Sequence, residues 1–288
     1  MKIFITGATG FIGRYILEDL INKPDVYIVA PTRNIQKAKA LINAKNLKFI
    51  HFQEDLDYLV KKEKPNVIIN LLGILTENKR KGITYEKVHY LYTKKLVEGA
   101  VSVNVEKFLQ MSALGVNIKA KSRYFRTKAL AEETVINSSI KYSIFRPSIV
   151  LGKGQKLFDD LKKFAKLTPV FLAPTGKVQP INVLDVRDIF IKNIFNDFET
   201  KILYLCGEKI ISYKELFEFV LNYLKVRRKV IQVPNKLFLP LLPFFEFLPN
   251  PPLTKEQYLM LERDNICGNK NYELKNILGN LRNPFKID

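Results

Sequence analysis

The tightest constraint on this chain sits at its start, where residues 1–14 read MKIFITGATGFIGR. The apolar run Lys2 to Thr6 predicts a buried strand, and Gly7, Gly10 and Gly13 open a helix that continues through Tyr15, Ile16, Leu17 and Leu20. Strand, G-x-x-G-x-x-G turn and helix, in that order, form the arrangement that takes a dinucleotide pyrophosphate. The first glycine permits a tight turn, the second lets backbone approach phosphate, and the third lets helix and strand pack closely. Unpaired N–H groups of the first helical turn then face the anion, aided by the helix dipole. Thr9, Phe11 and Ile12 lie in the same turn and join the three glycines as cofactor-binding candidates. A turn that merely joins strand to helix is the alternative, and the flanking elements argue against it.

The rest of the composition excludes more than it assigns. With 288 residues, 47% of them apolar, the chain can build one large or two small cores. A strand beginning at residue 2 leaves no leader in front of it, so a cytoplasmic protein is expected. Two cysteines, Cys206 and Cys267, are too few for a disulfide framework or a metal site, and His51 and His89 add no ligand spacing. Metal-free chemistry is expected. The net charge of +19 is spread, with 25 basic and 13 acidic residues in 1–150 against 22 and 15 in 151–288. No nucleic-acid motif accompanies it, so no nucleic-acid partner is expected and a solvated lysine-rich surface is the plain reading. Lys225, Arg227, Arg228 and Lys229 are the best local candidate for a polyanion or anionic-membrane patch.

Beyond the first helix, strand and helix alternate. Val26 to Ala30 predicts a second strand ending in Pro31-Thr32-Arg33-Asn34, where a dinucleotide fold selects its cofactor. An acidic residue there accepts from a ribose 2′-hydroxyl, whereas an arginine suits a 2′-phosphate. The chain offers Arg33, with Lys37 one turn on and no carboxylate before Glu54, which favours NADP and leaves NAD as the alternative. Arg33 as a simple loop cap is the structural reading. After a third strand, Leu47 to Phe52, Asp55 and Leu56 fall on the adenine side, where Asp55 either meets the adenine amino group or caps the next helix. The run in Pro65 to Leu75 predicts a strand buried on both faces. Its end, with Leu72 and Gly73, lies beside the ribose and nicotinamide, and a basic loop, Thr76 to Gly82, is expected to be mobile.

A second constellation follows. Phe108 to Met111 predicts a fifth strand ending at Ser112, and SRYFRTKALAEE then sets Tyr124 and Lys128 four apart on one helix face. An ammonium beside a phenol favours the phenolate, and a serine can share the same substrate oxygen, so the three form a catalytic candidate set beside a nicotinamide. Taken alone, Tyr and Lys at this spacing are common on solvated helices. Lys141 to Val150 predicts a sixth strand, interrupted by Arg146-Pro147-Ser148, which puts Pro147 on the nicotinamide side. The alternation implies an α/β, Rossmann-like, doubly wound parallel sheet over residues 1–154. Residues 155–288 are expected to form a smaller mixed α/β substrate or partner lobe interwoven with it, with helices at Phe158 to Leu167, Val186 to Phe198 and Tyr213 to Leu224. Within that lobe Leu237 to Leu248 is almost wholly apolar yet too short and too rich in proline to span a membrane. It covers a pocket, docks on a partner or lies on a membrane surface, with packing on its own domain as the alternative.

Together these segments resemble the atypical and extended short-chain dehydrogenases/reductases, and more narrowly the branch holding the NAD(P)H-binding accessory subunit of respiratory complex I and its bacterial relatives. The segments that carry the likeness are TGATGFIG (6–13), VIINLLGIL (67–75), SALGV (112–116), SRYFRTKALAE (122–132), FRPSIVLGKG (145–154), QPINVLDV (179–186) and PPLTKEQYLMLERDNI (251–266). The last is the most discriminating. The resemblance implies a Rossmann domain binding NADPH or NADH, with Ser112, Tyr124 and Lys128 at the catalytic positions and Lys128 also placed to clamp the nicotinamide ribose. It implies equally a nucleotide held as part of a larger, membrane-peripheral complex, or an active NADP-dependent oxidoreductase, epimerase or dehydratase.

Overall fold

The computed structural model describes residues 1–166, 168–196, 201–246, 251 and 253–287. Six strands appear in the expected order: β1 (Lys2–Thr6), β2 (Tyr27–Thr32), β3 (Leu47–His51), β4 (Val67–Asn70), β5 (Lys107–Met111) and β6 (Lys141–Pro147). They are interleaved with α1 (Phe11–Leu20), α2 (Ile35–Leu41), α3 (Leu56–Glu63), α4 (Tyr92–Ser102) and α5 (Arg123–Ile136). Beyond them lie the short strand β7 (Val150–Leu151), helix α6 (Lys156–Phe164), strands β8 (Val170–Pro174), β9 (Lys177–Val178) and β10 (Ile181–Asn182), and helix α7 (Val183–Phe195). The chain continues with β11 (Lys201–Leu205), β12 (Ile211–Ser212), α8 (Tyr213–Tyr223), β13 (Lys229–Val233), α9 (Leu242–Glu246), α10 (Lys255–Met260) and α11 (Tyr272–Leu278).

The main sheet is parallel and seven-stranded, in the order β11-β6-β5-β4-β1-β2-β3. Its edge strand β11 comes from beyond residue 154, so the later chain completes the main sheet. One face is covered by α1, α2, α7 and α11 through Ile16, Leu17, Ala38, Ile189 and Leu274, the other by α3, α4 and α5 through Leu59, Val60, Leu96 and Val135. Strand β4 is only four residues long and fully buried, as a central parallel strand should be. A third cluster, built on α6, α8, β8 and β13, forms the smaller lobe. The expected helix ends at Leu167, Asp197 and Phe198 lie outside the described residues, as do Phe247 and Leu248 of the apolar stretch. The loop expected to be mobile is folded: Lys79–Lys81 makes a 3₁₀ turn with Asn78 accepting from the Lys81 amide, and Asn78 bridges Ile83. Among the described residues no helix is long and apolar enough to cross a membrane.

The strand order reverses between β1 and β4, and there the tops of three strands are stitched by one side chain. Asn70 Oδ1 accepts from Thr6 Oγ1 (2.7 Å) and from the Leu72 amide (3.2 Å), while Nδ2 donates to Gln110 Oε1 (2.9 Å) and Thr93 Oγ1 (3.0 Å). Every donor and acceptor of the amide is used in a site without solvent access. Replacing it strands several buried partners. Asn70→Leu is therefore expected to lower unfolding stability by about 2–3 kcal/mol, read by urea denaturation, although the volume is nearly conserved. A loss below about 0.5 kcal/mol would show the network to be dispensable.

Candidate functional site

The glycine turn fills the crevice where the strand order reverses. Gly7 adopts φ +70°, and a Cβ there would sit 3.0 Å from the carbonyl oxygen of Leu71, so the loops after β1 and β4 touch only because this residue is glycine. Gly10 donates its amide to Gly7 O (2.9 Å) and forms the N-cap of α1 without any side-chain cap, leaving first-turn N–H groups for an anion. A Cβ on Gly13 would collide with Gly7 O and Ala8 O. This cradle fits a pyrophosphate. Phe11 and Ile12 turn their side chains into the core beneath, so their contribution to a phosphate is the backbone amide.

On the adenine side, Arg33 is exposed at the end of β2 and has no ion-pair partner among the described residues. It does not cap the loop: Asn34 does, accepting from the Lys37 amide at 2.8 Å. Asp55 occupies the N-cap position of α3 but makes no cap hydrogen bond, and pairs instead with Lys95 at 2.5 Å on the surface. The capping alternative is thereby removed. Leu56 is fully buried in the core, which leaves its main chain as the part a nucleotide can meet.

Tyr124 and Lys128 lie on α5, both buried. Lys128 Nζ donates to Met111 O (3.0 Å) at the end of β5 and to Leu72 O (3.4 Å) just past β4, and a Cβ on Gly73 would meet Nζ at 3.3 Å. The ammonium thus sits between the carboxyl ends of β4 and β5. Desolvation pulls its pKa down to about 8, against a smaller upward pull from Glu132. Tyr124 packs edge-on against Tyr85 and His89, and its hydroxyl has no hydrogen-bond partner among the described residues. Burial pushes this phenol up to about 12, so it is a proton-bearing group at neutral pH rather than the phenolate its spacing from Lys128 suggested.

Ser112 takes another direction. Its hydroxyl donates to Glu132, which also receives Arg146 Nε (2.9 Å) in a two-point ion pair, while Arg146 reaches Tyr204 OH at 3.0 Å. Ser112 therefore belongs to a buried Ser-Glu-Arg-Tyr network. Pro147 pairs with Leu205 in β11 and accepts from the Leu114 amide (2.9 Å), which puts it at the strand end beside that network.

Three contributors escaped sequence reasoning. His89 accepts from the Ile74 amide at Nε2 (3.1 Å), so its Nδ1 carries the proton toward Thr127 Oγ1 (3.0 Å), locking the loop after β4 onto α5. Burial and Lys128 hold it neutral. Glu256 of α10 accepts from the Arg123 amide (2.7 Å) and from Ser122 Oγ (3.1 Å), capping α5 from across the chain. Cys206 and Cys267, read from their number as too few for a disulfide framework, are joined in a single disulfide packed on Leu114. Only Glu256 had a sequence signal, the motif at 251–266. Among the described residues no group of His, Cys, Asp or Glu could hold a metal.

Residues 7–160 match a family described as NAD(P)H-binding. The mitochondrial NADH dehydrogenase [ubiquinone] 1 alpha subcomplex subunit 9 of Arabidopsis thaliana is 26% identical over 91% of this chain and 68% of its own length. The mitochondrial NADH-ubiquinone oxidoreductase 40 kDa subunit of Neurospora crassa is 26% identical over 82% of the chain and 64% of its own. The chain thus spans about two thirds of these relatives, and half of the mouse alpha subcomplex subunit 9. Among solved structures, the Bacillus cereus UDP-glucuronic acid 4-epimerase superposes with a TM-score of 0.71 at 16% identity, covering 99% of this chain and 96% of that one. Bordetella bronchiseptica WbmH gives 0.67 at 15%, covering 81% and 85%. The fold is that of the extended short-chain dehydrogenases/reductases.

The depressed Lys128 pKa makes a stability prediction. A lysine whose folded pKa lies near 8 against an ordinary 10.5 destabilises the fold wherever the buried group must carry its charge. That cost, about 3 kcal/mol, is fully present below pH 8 and fades as the pH rises to about 10.5. Lys128→Met is expected to raise the melting temperature at pH 7 and to leave it nearly unchanged at pH 10.5. Equal effects at both pH values in calorimetry would show that the lysine is solvated.

Proposed function

This chain belongs to the NAD(P)H-binding family, and on that premise we propose that it holds a nicotinamide dinucleotide, NADPH before NADH, as a resident ligand in the manner of a complex I accessory or assembly subunit. The observation that carries the reading is the glycine cradle, with Gly7, Gly10 and Gly13 packed so that no side chain intrudes and α1 left uncapped. Gly7, Thr9, Gly10, Phe11, Ile12 and Gly13 would surround the pyrophosphate, Asp55 and Leu56 the adenine, and Leu72, Gly73 and Pro147 the ribose and nicotinamide end. Arg33, unpaired at the end of β2, would meet the 2′-phosphate. Lys128, fixed between the β4 and β5 carbonyls, would clamp the nicotinamide ribose. The relatives' names, which are those of subunits of a larger enzyme, support a setting within an assembly; in this reading the protein itself is cytoplasmic and peripheral to the inner face of a membrane.

One feature speaks for a clamp over a catalyst: Ser112 spends its hydroxyl on Glu132. The second reading, an NADP-dependent oxidoreductase, epimerase or dehydratase, draws on Tyr124, whose hydroxyl has no hydrogen-bond partner among the described residues, on the helix that also carries Lys128. There Tyr124 would exchange a proton with a substrate oxygen while the dinucleotide supplied hydride chemistry.

Fluorescence titration is expected to show NADPH binding more tightly than NADH, with Arg33→Ala narrowing the gap by roughly tenfold through loss of charge-assisted hydrogen bonds. Tyr124→Phe should leave affinity within about twofold, since that hydroxyl holds no other group in place. A tighter complex with NADH would refute the 2′-phosphate assignment. Turnover on a panel of carbonyl and alcohol substrates that disappears in Tyr124→Phe would replace the resident-ligand reading with the catalytic one.

A further inference from the structure

The smaller lobe shows two surface features that meet. One is cationic. Arg228 Nε donates to Ala165 O (3.0 Å) and Thr168 O (3.2 Å), which ties the start of β13 to the end of α6. The exposed Lys162, Lys163 and Lys166 thereby come beside Arg227, Arg228 and Lys229, and none of the six has an acidic partner among the described residues. Arg227, Arg228 and Lys229 line a shallow depression of about 470 Å³ with Pro169, Asn222 and Val226, free of carboxylates.

The other feature is apolar and continuous with the first. Strands β8 and β13 pair in parallel with Val170 opposite Lys229 and Leu172 opposite Ile231. Phe171, Ala173 and Val230 face the lobe's core, so Leu172 and Ile231 stand side by side on the outer face, uncovered. The turn that follows, Asn235–Leu241, is anchored by buried Phe238 yet exposes Leu237 by 56%, and Phe244 next to it is 73% exposed. Residues 225–246 hold five basic side chains and one acidic one, Glu246.

We propose that this outer face of β8 and β13, with the turn after it, is a docking surface for an anionic lipid membrane. The cationic depression receives lipid phosphates, and Leu172, Ile231, Leu237 and Phe244 sink into the acyl boundary. Charge and apolarity decide between occupants. Cations near an anionic leaflet are each attracted to it, and exposed Leu and Phe beside them supply the buried apolar area that interfacial anchoring requires. A protein interface of the same size would be depleted in lysine, and a nucleic-acid surface would have no use for the aliphatic ledge. The surface stands independently of the nucleotide reading, because among the described residues none of its side chains hydrogen-bonds or ion-pairs with the cradle.

The full chain, sedimented with phosphatidylcholine vesicles and with vesicles carrying about one third phosphatidylglycerol, is expected to pellet only with the latter. The double variant Arg227→Glu, Lys229→Glu should lower that partition at least tenfold, and Phe244→Ser several-fold, with melting temperature and NADPH affinity both unchanged. Equal sedimentation on neutral vesicles, or anionic binding that both variants leave intact, would overturn the proposal. Self-association without vesicles, abolished by the same variants in a protein that ignores lipid, would overturn it in favour of a second copy of the chain.

Discussion

The carboxamide of Asn70 is the constraint on which the nucleotide crevice depends. A parallel sheet offers a ligand crevice only where neighbouring strand ends diverge, and that place must be held open without losing order. Asn70 does so by joining the ends of β1, β4 and β5 to α4 in a network that leaves none of its own polar atoms unpaired. The same side chain receives the Leu72 amide, which starts the turn whose carbonyl takes Lys128. Because the group is buried, each of its hydrogen bonds is costly to lose, and the loop geometry inherits that rigidity.

Around this frame, burial outweighs pairing. The spacing of Tyr124 and Lys128 invites the idea of an ammonium lowering a phenol, yet with both groups out of water each charged form is disfavoured, and the phenol rises to about 12 while the amine falls to about 8. Desolvation acts on each residue separately, so proximity does not produce a phenolate. Meanwhile Glu132, one turn after Lys128, is satisfied by Arg146 and Ser112 and keeps that acid from floating free beside the amine. The helix carrying all three is capped by Glu256, a carboxylate at a helix N-terminus, where charge and dipole agree. This gives the motif at 251–266 a physical task. It holds the start of α5 and then, through Asp264 on the Lys177 amide and Asn265 on Ser148, binds the strand ends behind it.

What the sequence made legible was local. The glycine turn, strands β1 to β6 and the order of helices between them follow from periodicity and a few punctuating residues, and the structure places each within a few positions of its expectation. Chemistry that depends on distant partners was not legible. Ser112 stands at a strand end as expected, but its commitment to Glu132, twenty residues on, is a tertiary fact. His89 carries no spacing signal because its partners are a backbone amide at 74 and a hydroxyl at 127. Cys206 and Cys267, separated by 61 residues, meet only because β11 joins the main sheet while the segment after α10 returns to it. Strand β8 was missed for a related reason: Val170–Pro174 ends in proline, and only its pairing with β13 makes it a strand.

Charge shows the same divide. Counted along the chain, the basic excess is nearly even between halves, which argues for a solvated surface and nothing else. Folding redistributes it, because salt bridges remove cations unequally. Lys2, Lys48, Lys87 and Lys95 find carboxylates around β3 and α3, and Lys121 finds Glu262. The six cations at the end of α6 and the start of β13 find none among the described residues, and two helices' worth of intervening chain separates them in sequence. A field is set by charges left unpaired and close together within a screening length, not by their total. The surface that the fold concentrates is thus the one that the count conceals, and it lies beside the apolar ledge that no buried core claims.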